Sequence, residues 1–99
     1  MLRHVVGVRL NYEEGDSRIA DFFKAAREML ASIPQVKSYN HFRVQNPEAC
    51  GYTYGFILEF DSPDGLVEYF TDPSHLKFTD DYWNGAVKDF IDINLIPMD

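Results

Sequence analysis

Hydrophobic and polar positions alternate at the start of this chain. In residues 4–10, HVVGVRL, His4, Val6, Val8 and Leu10 fall on one side and Val5, Gly7 and Arg9 on the other, the period of a strand. A polar loop, NYEEGDS, follows, and Asp16 or Ser17 is placed to cap a helix. From Arg18 to Ile33 the apolar residues Ile19, Phe22, Phe23, Ala26, Met29, Leu30 and Ile33 recur every three or four positions. They make one stripe on a helix that Pro34 ends. Val36 to Val44 predicts a second strand, QNPEACG a turn-rich loop, and Tyr52 to Phe60 a third strand. In that third strand Tyr54, Phe56, Leu58 and Phe60 share one face, and Thr53, Gly55, Ile57 and Glu59 the other. Asp61-Ser-Pro-Asp starts a helix to about Phe70, with Pro63 at its first position. Asp72-Pro73 repeats the device and starts a short helix to about Trp83, broken at Asn84-Gly85. Val87 to Leu95 is the last strand.

The order β-α-β-β-α-β predicts an α+β fold of the ferredoxin-like, split βαβ type. Its sheet is antiparallel and four-stranded, in spatial order 4-1-3-2, with the helices on one face. Residues 1–99 read as a single domain, without repeats or linkers. The face away from the helices carries Val5, Gly7, Gly55 and Ile57, and is too apolar to stay wet. A second sheet packed face to face would cover it, so a homodimer is expected, closing into a dimeric α+β barrel. Gly7 and Gly55 would let the two sheets approach. Arg9 and Glu59, on the same face, are placed to pair.

Composition narrows the function classes. Aromatic residues are 15% of the chain, enough for a core and a second buried surface. The net charge of −7 repels phosphate backbones, so no nucleic-acid partner is expected. Cys50 is the single cysteine, which excludes a disulfide framework and a cysteine-rich zinc site. No segment is long and apolar enough to span a membrane, and MLRHVVGVRL lacks a secretory apolar region. A cytoplasmic protein without a membrane partner is expected.

Three side chains are candidates for chemistry. With Asp72 as cap and Pro73 first in the helix, His75 lies in the first turn, where the positive helix end favours neutral imidazole. A neutral imidazole is what a general base requires. Tyr69 precedes the turn at Asp72-Pro73 and is within plausible reach of His75; a tyrosine there can donate to a carbonyl or enolate oxygen. His4 opens the first strand on the helix-facing side, where a buried imidazole needs a partner. Pattern alone also allows each a structural role. His41 reads as a surface residue. His4, His75 and Asp92 could converge, but no two histidines stand at metal-ligand spacing, so no metal is expected, and there is no glycine-rich phosphate loop.

The quoted HVVGVRL, the run GYTYGFILEFDSPDGLVEYFTDPSHLKF and the closing strand together resemble the stress-responsive dimeric α+β-barrel family. The resemblance spans nearly the whole chain. Its most specific part runs from the GYT strand to the Tyr-x-x-x-Pro-x-His segment. It implies the fold and the dimer, and it matches Tyr69, His75 and His4 to the acid-base residues of a plant polyketide cyclase in that family. That enzyme closes a ring by aldol condensation without cofactor or metal. Ala26 stands where it has a pocket tyrosine, and Tyr54 where it has a histidine, so a different substrate is implied.

Three functions follow as alternatives. One is a cofactor-independent acid-base enzyme of aldol, cyclisation or isomerisation type on a small carbonyl compound. His75 would be its base, Tyr69 its donor and His4 its orienting group. Val6, Val8, Phe23, Tyr54, Phe56 and Trp83 would form the substrate-binding wall. The second is a non-catalytic dimer that binds a small molecule or serves a stress response. The third is a cofactorless monooxygenase.

Overall fold

A computed structural model describes residues 1–98. Strand β1 (Leu2–Leu10) starts earlier than the alternation predicts, because Leu2 already pairs opposite Phe60. Helix α1 (Ser17–Leu30) is capped by Asp16, whose side chain accepts the Arg18 N–H at 2.9 Å. It ends at Leu30 rather than Ile33, since the residue before Pro34 is disfavoured in a helix. Ile33 stays buried all the same. Strand β2 (Ser38–Arg43) is shorter than its apolar signal. The segment read as a loop then holds a one-turn helix, α2 (Pro47–Cys50), with proline at its start and Gly51 at φ 86° to end it.

Strand β3 (Tyr54–Phe60) leads to α3 (Pro63–Thr71) and α4 (Pro73–Phe78). The predicted break at Asn84-Gly85 does not occur. A π-helical turn, Thr79–Trp83, and one further turn, α5 (Asn84–Ala86), carry the chain helically into β4 (Val87–Leu95). Gly85 is a weak helix former, but it is not forced out of a helix when the turn on either side is packed.

The sheet order is β2-β3-β1-β4 and every pairing is antiparallel, as the sequence predicts. The register corrects two details. Arg9 and Glu59 do not pair. Glu59 stands opposite Arg3 and bonds it at 3.1 Å, while Arg9 stands opposite Asp89 and bonds that. The two residues lie at opposite ends of the β1–β3 ladder. Gly7 and Gly55 do face each other, but the demand on Gly55 is internal to the sheet. A Cβ there would lie 2.5 Å from the Val6 carbonyl oxygen of the neighbouring strand.

One face of the sheet is dry. Val6, Val8, Phe56, Leu58 and Phe60 meet Phe22, Ala26 and Leu30 of α1 and Tyr69 and Phe78 of the later helices, all buried. Each valine, leucine and phenylalanine among them contributes roughly 1.5–3 kcal/mol by leaving water. The other face is uncovered. On β4 it exposes Ile91, Ile93 and Leu95 at 42%, 47% and 49%, beside Val5 and Ile57.

Candidate functional site

The site lies between the β1–β4 half of the sheet and helices α3 and α4. On the dry face His4, Val6 and Val8 stand opposite Asn94, Asp92 and Phe90. His4 is 3% exposed, and its Nδ1 donates to the Asn94 Oδ1 at 2.7 Å. An amide oxygen only accepts, so the imidazole proton sits on Nδ1 and, in the neutral ring, Nε2 is left as an acceptor.

Tyr69 comes from α3 and is buried, its ring centroid 5.2 Å from that of Phe60 and 6.2 Å from that of His4, both edge-on contacts. Burial raises its phenol well above the usual tyrosine range, with a smaller contribution from Tyr39. The hydroxyl therefore remains a hydrogen-bond donor through the physiological range. His75 is the third residue of α4. Asp72 caps that helix by accepting the Ser74 N–H at 2.8 Å, as the sequence predicts. The His75 ring lies 4.6 Å from that of Tyr69 at 62°, an edge contact. Its pKa is lowered from the ordinary 6.5, first by burial and then by the His4 charge, against the Phe70 backbone and Asp72. The direction is the one expected from the helix end, but burial is the principal cause. Its Nδ1 is buried with no hydrogen-bond partner. Phe70 sets its ring edge against both histidines, 5.6 Å from His4 and 5.4 Å from His75.

These groups share one cavity of about 240 Å³. Val6, Leu30, Phe56, Phe78, Trp83 and Phe90 form its apolar wall, and Thr79 and Asp92 join His4, Tyr69 and His75 as its polar groups. No lysine or arginine lines it. Of the wall expected from sequence, Val6, Phe56 and Trp83 are there. Val8 is not: it is fully buried in the core between sheet and helices. Phe23 and Tyr54 are not there either. They pack on each other at 5.8 Å and line a separate, more open recess of about 430 Å³ beside β2. Phe23 lies over the β2–β3 side of the sheet, against His41 and Tyr54. Leu30, about two turns on, is what α1 presents to the cavity. His41 is in the same recess as Phe23. It is half-buried rather than on the surface, with its Nδ1 3.1 Å from the Tyr39 hydroxyl and its ring 5.0 Å from Phe23.

Sequence reasoning missed the roles of Asn94, Thr79, Leu30, Phe70, Phe78 and Phe90. The β4 alternation carried the signal for two of them, because Phe90, Asp92 and Asn94 share the face that His4 and Val6 occupy.

Chemically, the cavity offers an imidazole biased toward its neutral form as base and a phenol as donor within one largely apolar cleft. Among the described residues no group of three His, Cys, Asp or Glu is placed to hold a metal, and no helix is long and apolar enough to cross a membrane.

Comparison with known proteins places the fold. The chain is similar in structure to a Mesorhizobium loti protein of the Dabb family with a ferredoxin-like fold. The TM-score is 0.92 at 26% identity, covering 99% of this chain and 97% of that one. It shares the fold of the hydroxynitrile lyase of Passiflora edulis (TM-score 0.82, 19% identity, 98% and 93% covered). It also shares that of a dimeric ferredoxin-like protein from Thermobifida fusca (0.78, 20%, 95% and 88%). No curated protein matches the chain. The model of the stress responsive A/B barrel domain matches residues 2–95, and the chain belongs to that family.

Proposed function

We propose that the chain is a cofactor-independent acid-base enzyme acting on a small carbonyl compound, by aldol, cyclisation or isomerisation chemistry. The carrying observation is the convergence of Tyr69, His75 and His4 in one aromatic-walled cavity. His75 takes the proton α to the carbonyl, and Tyr69 donates to the oxygen as negative charge develops on it. His4, held through Nδ1 by Asn94, is a positioning residue that turns Nε2 toward its neighbours. The hydroxynitrile lyase of the same fold supports the reading, since by its name it works on hydroxynitriles.

The functional unit in this reading is a homodimer formed over the uncovered sheet face. Several solved structures with this fold are described as dimeric. Light scattering should return twice the 11.5 kDa chain mass. Introducing aspartate at Ile91 and Ile93 should return the single mass. A wild-type monomer sinks the dimer.

The chemistry is tested by proton exchange, which needs no knowledge of the natural substrate. Small ketones and aldehydes are incubated with the protein in D2O, and deuterium entering the α position is followed by NMR. The wild type should accelerate exchange, and His75→Ala should lose about 10²–10⁴-fold of the acceleration, the usual share of a general base. A folded His75→Ala protein with unchanged exchange removes His75 from the mechanism.

A further inference from the structure

Among the described residues that line the cavity, the one carboxylate is that of Asp92, and none is a lysine or arginine. Asp92 projects from β4 opposite Val6, between Phe90, which packs on Trp83 at 5.2 Å, and Asn94, which holds His4. Its neighbours in the alternation thus serve the wall and the acid-base group, and Asp92 lines the space between them. Among the described residues it makes no ion pair and no hydrogen bond. The carboxylate is exposed at the mouth of the cavity and is tied up by no other side chain of the described residues.

We propose that Asp92 is the specificity-determining residue of the cavity. It selects uncharged or cationic carbonyl compounds that carry a hydroxyl or amino donor, and it turns away carboxylates and phosphates. The inference rests on the reading of the cavity as a carbonyl site. A carboxylate only accepts hydrogen bonds. A substrate hydroxyl or amine gives it a donor, whereas a second anion meets like-charge repulsion that the water at this exposed position moderates and no cation of the lining relieves. Volume sets the scale. A cavity of 150 Å³ accepts benzene, so about 240 Å³ fits one ring with short substituents.

Two benzaldehydes substituted at the same ring position separate the terms: 3-hydroxybenzaldehyde and 3-formylbenzoate, with benzaldehyde as the uncharged parent and the Asp92→Asn comparison cancelling their difference in size. Trp83 is the single tryptophan and lines the cavity, so its indole N–H signal in a nitrogen-15 correlation spectrum reports binding. In the wild type the hydroxy compound should bind at least about tenfold tighter than the formylbenzoate. Added salt should narrow that gap by screening the repulsion. In Asp92→Asn the gap should close, mainly because the formylbenzoate binds better. A gap unchanged in Asp92→Asn and in salt overturns the role of Asp92 while leaving the carbonyl site standing. If none of the three probes moves the Trp83 signal, the carbonyl site falls and the selectivity with it.

Discussion

The protein contains two tyrosine–histidine pairs under its helices, and they are built differently. Tyr39 and His41 lie on β2 below α1, and Tyr69 and His75 lie on α3 and α4. Burial raises both phenols and lowers both imidazoles, so residue type and direction of shift do not distinguish the pairs. Their partners do. The His41 Nδ1 meets the Tyr39 hydroxyl at 3.1 Å, and Arg27 lies over the Tyr39 ring at 5.2 Å. That pair satisfies itself, beside an open recess. His75 meets Tyr69 only through an edge contact of the rings, centroids 4.6 Å apart, its Nδ1 is buried without a side-chain partner, and both line the apolar cavity with a second histidine. A buried polar group without a partner costs roughly 1–3 kcal/mol. The difference between the pairs is therefore between a tyrosine and histidine bonded to each other and a tyrosine and histidine that share a cavity without bonding to each other.

The largest expected effect sets one pair directly against the other. His75→Ala should remove most of the α-proton exchange, whereas His41→Ala should leave it within about twofold while lowering thermal stability, because the lost imidazole leaves the Tyr39 hydroxyl without its partner. Equal losses in the two variants would end the contrast.

Tyrosine variants sharpen it at the next scale. Tyr69→Phe keeps the ring that packs on Phe60 and removes only the donor. Exchange should fall by about 10–10³-fold with the melting temperature nearly kept. Tyr39→Phe should leave exchange alone and cost about 0.5–1.5 kcal/mol in denaturant unfolding, the worth of one intramolecular hydrogen bond. The reverse assignment, with Tyr39→Phe inactive, would move the site to the recess.

The asymmetry between the pairs was legible in the sequence only in part. The helix starts were local signals: Asp72-Pro73 fixes a cap and a first helical residue, and hence the place of His75 in the first turn. The strand faces were legible too, because a period of two assigns His4 and Val6 to one side. Alternation gives the side of a sheet but not the position along it. Phe23, Tyr54 and Val8 were thus expected in the wall that Leu30, Phe78 and Phe90 in fact form. That distinction depends on how α1 crosses the sheet, a tertiary quantity. His41 was read as exposed because it sits near the end of a short strand; Phe23 of α1 covers it across the layer. Gly55 was read as room for a partner sheet, and only the β1–β3 register reveals the Val6 carbonyl against it.

Acid acts on both pairs in one direction. Each imidazole has a folded pKa below its ordinary 6.5, so the unfolded chain binds the proton first as pH falls. Stability should be flat above about pH 7.5 and decline from about pH 6.5 downward. Carboxylates add little in that range; Asp16, for example, is held at about 2 by Arg18. Thermal midpoints at pH 7.5, 6.5 and 5.5 check the slope, and His75→Ala and His41→Ala should each flatten part of it. A midpoint that rises on acidification contradicts the sign for both.

The smallest effect isolates the electrostatic part of the contrast. Burial leads the His41 shift, and the Arg27 cation adds to it by disfavouring a second positive charge nearby. No arginine or lysine figures among the causes of the His75 shift; there the additional charge is that of His4. Arg27→Gln should therefore raise the His41 titration midpoint, followed through its ring carbon-proton signals, and leave the His75 midpoint in place. Concentrated salt should mimic the variant at His41, since the guanidinium is exposed enough to be screened. Movement of both midpoints together would mean that the pairs share one electrostatic environment, and the separation of a satisfied pair from an available one would then rest on the hydrogen bond to Tyr39 alone.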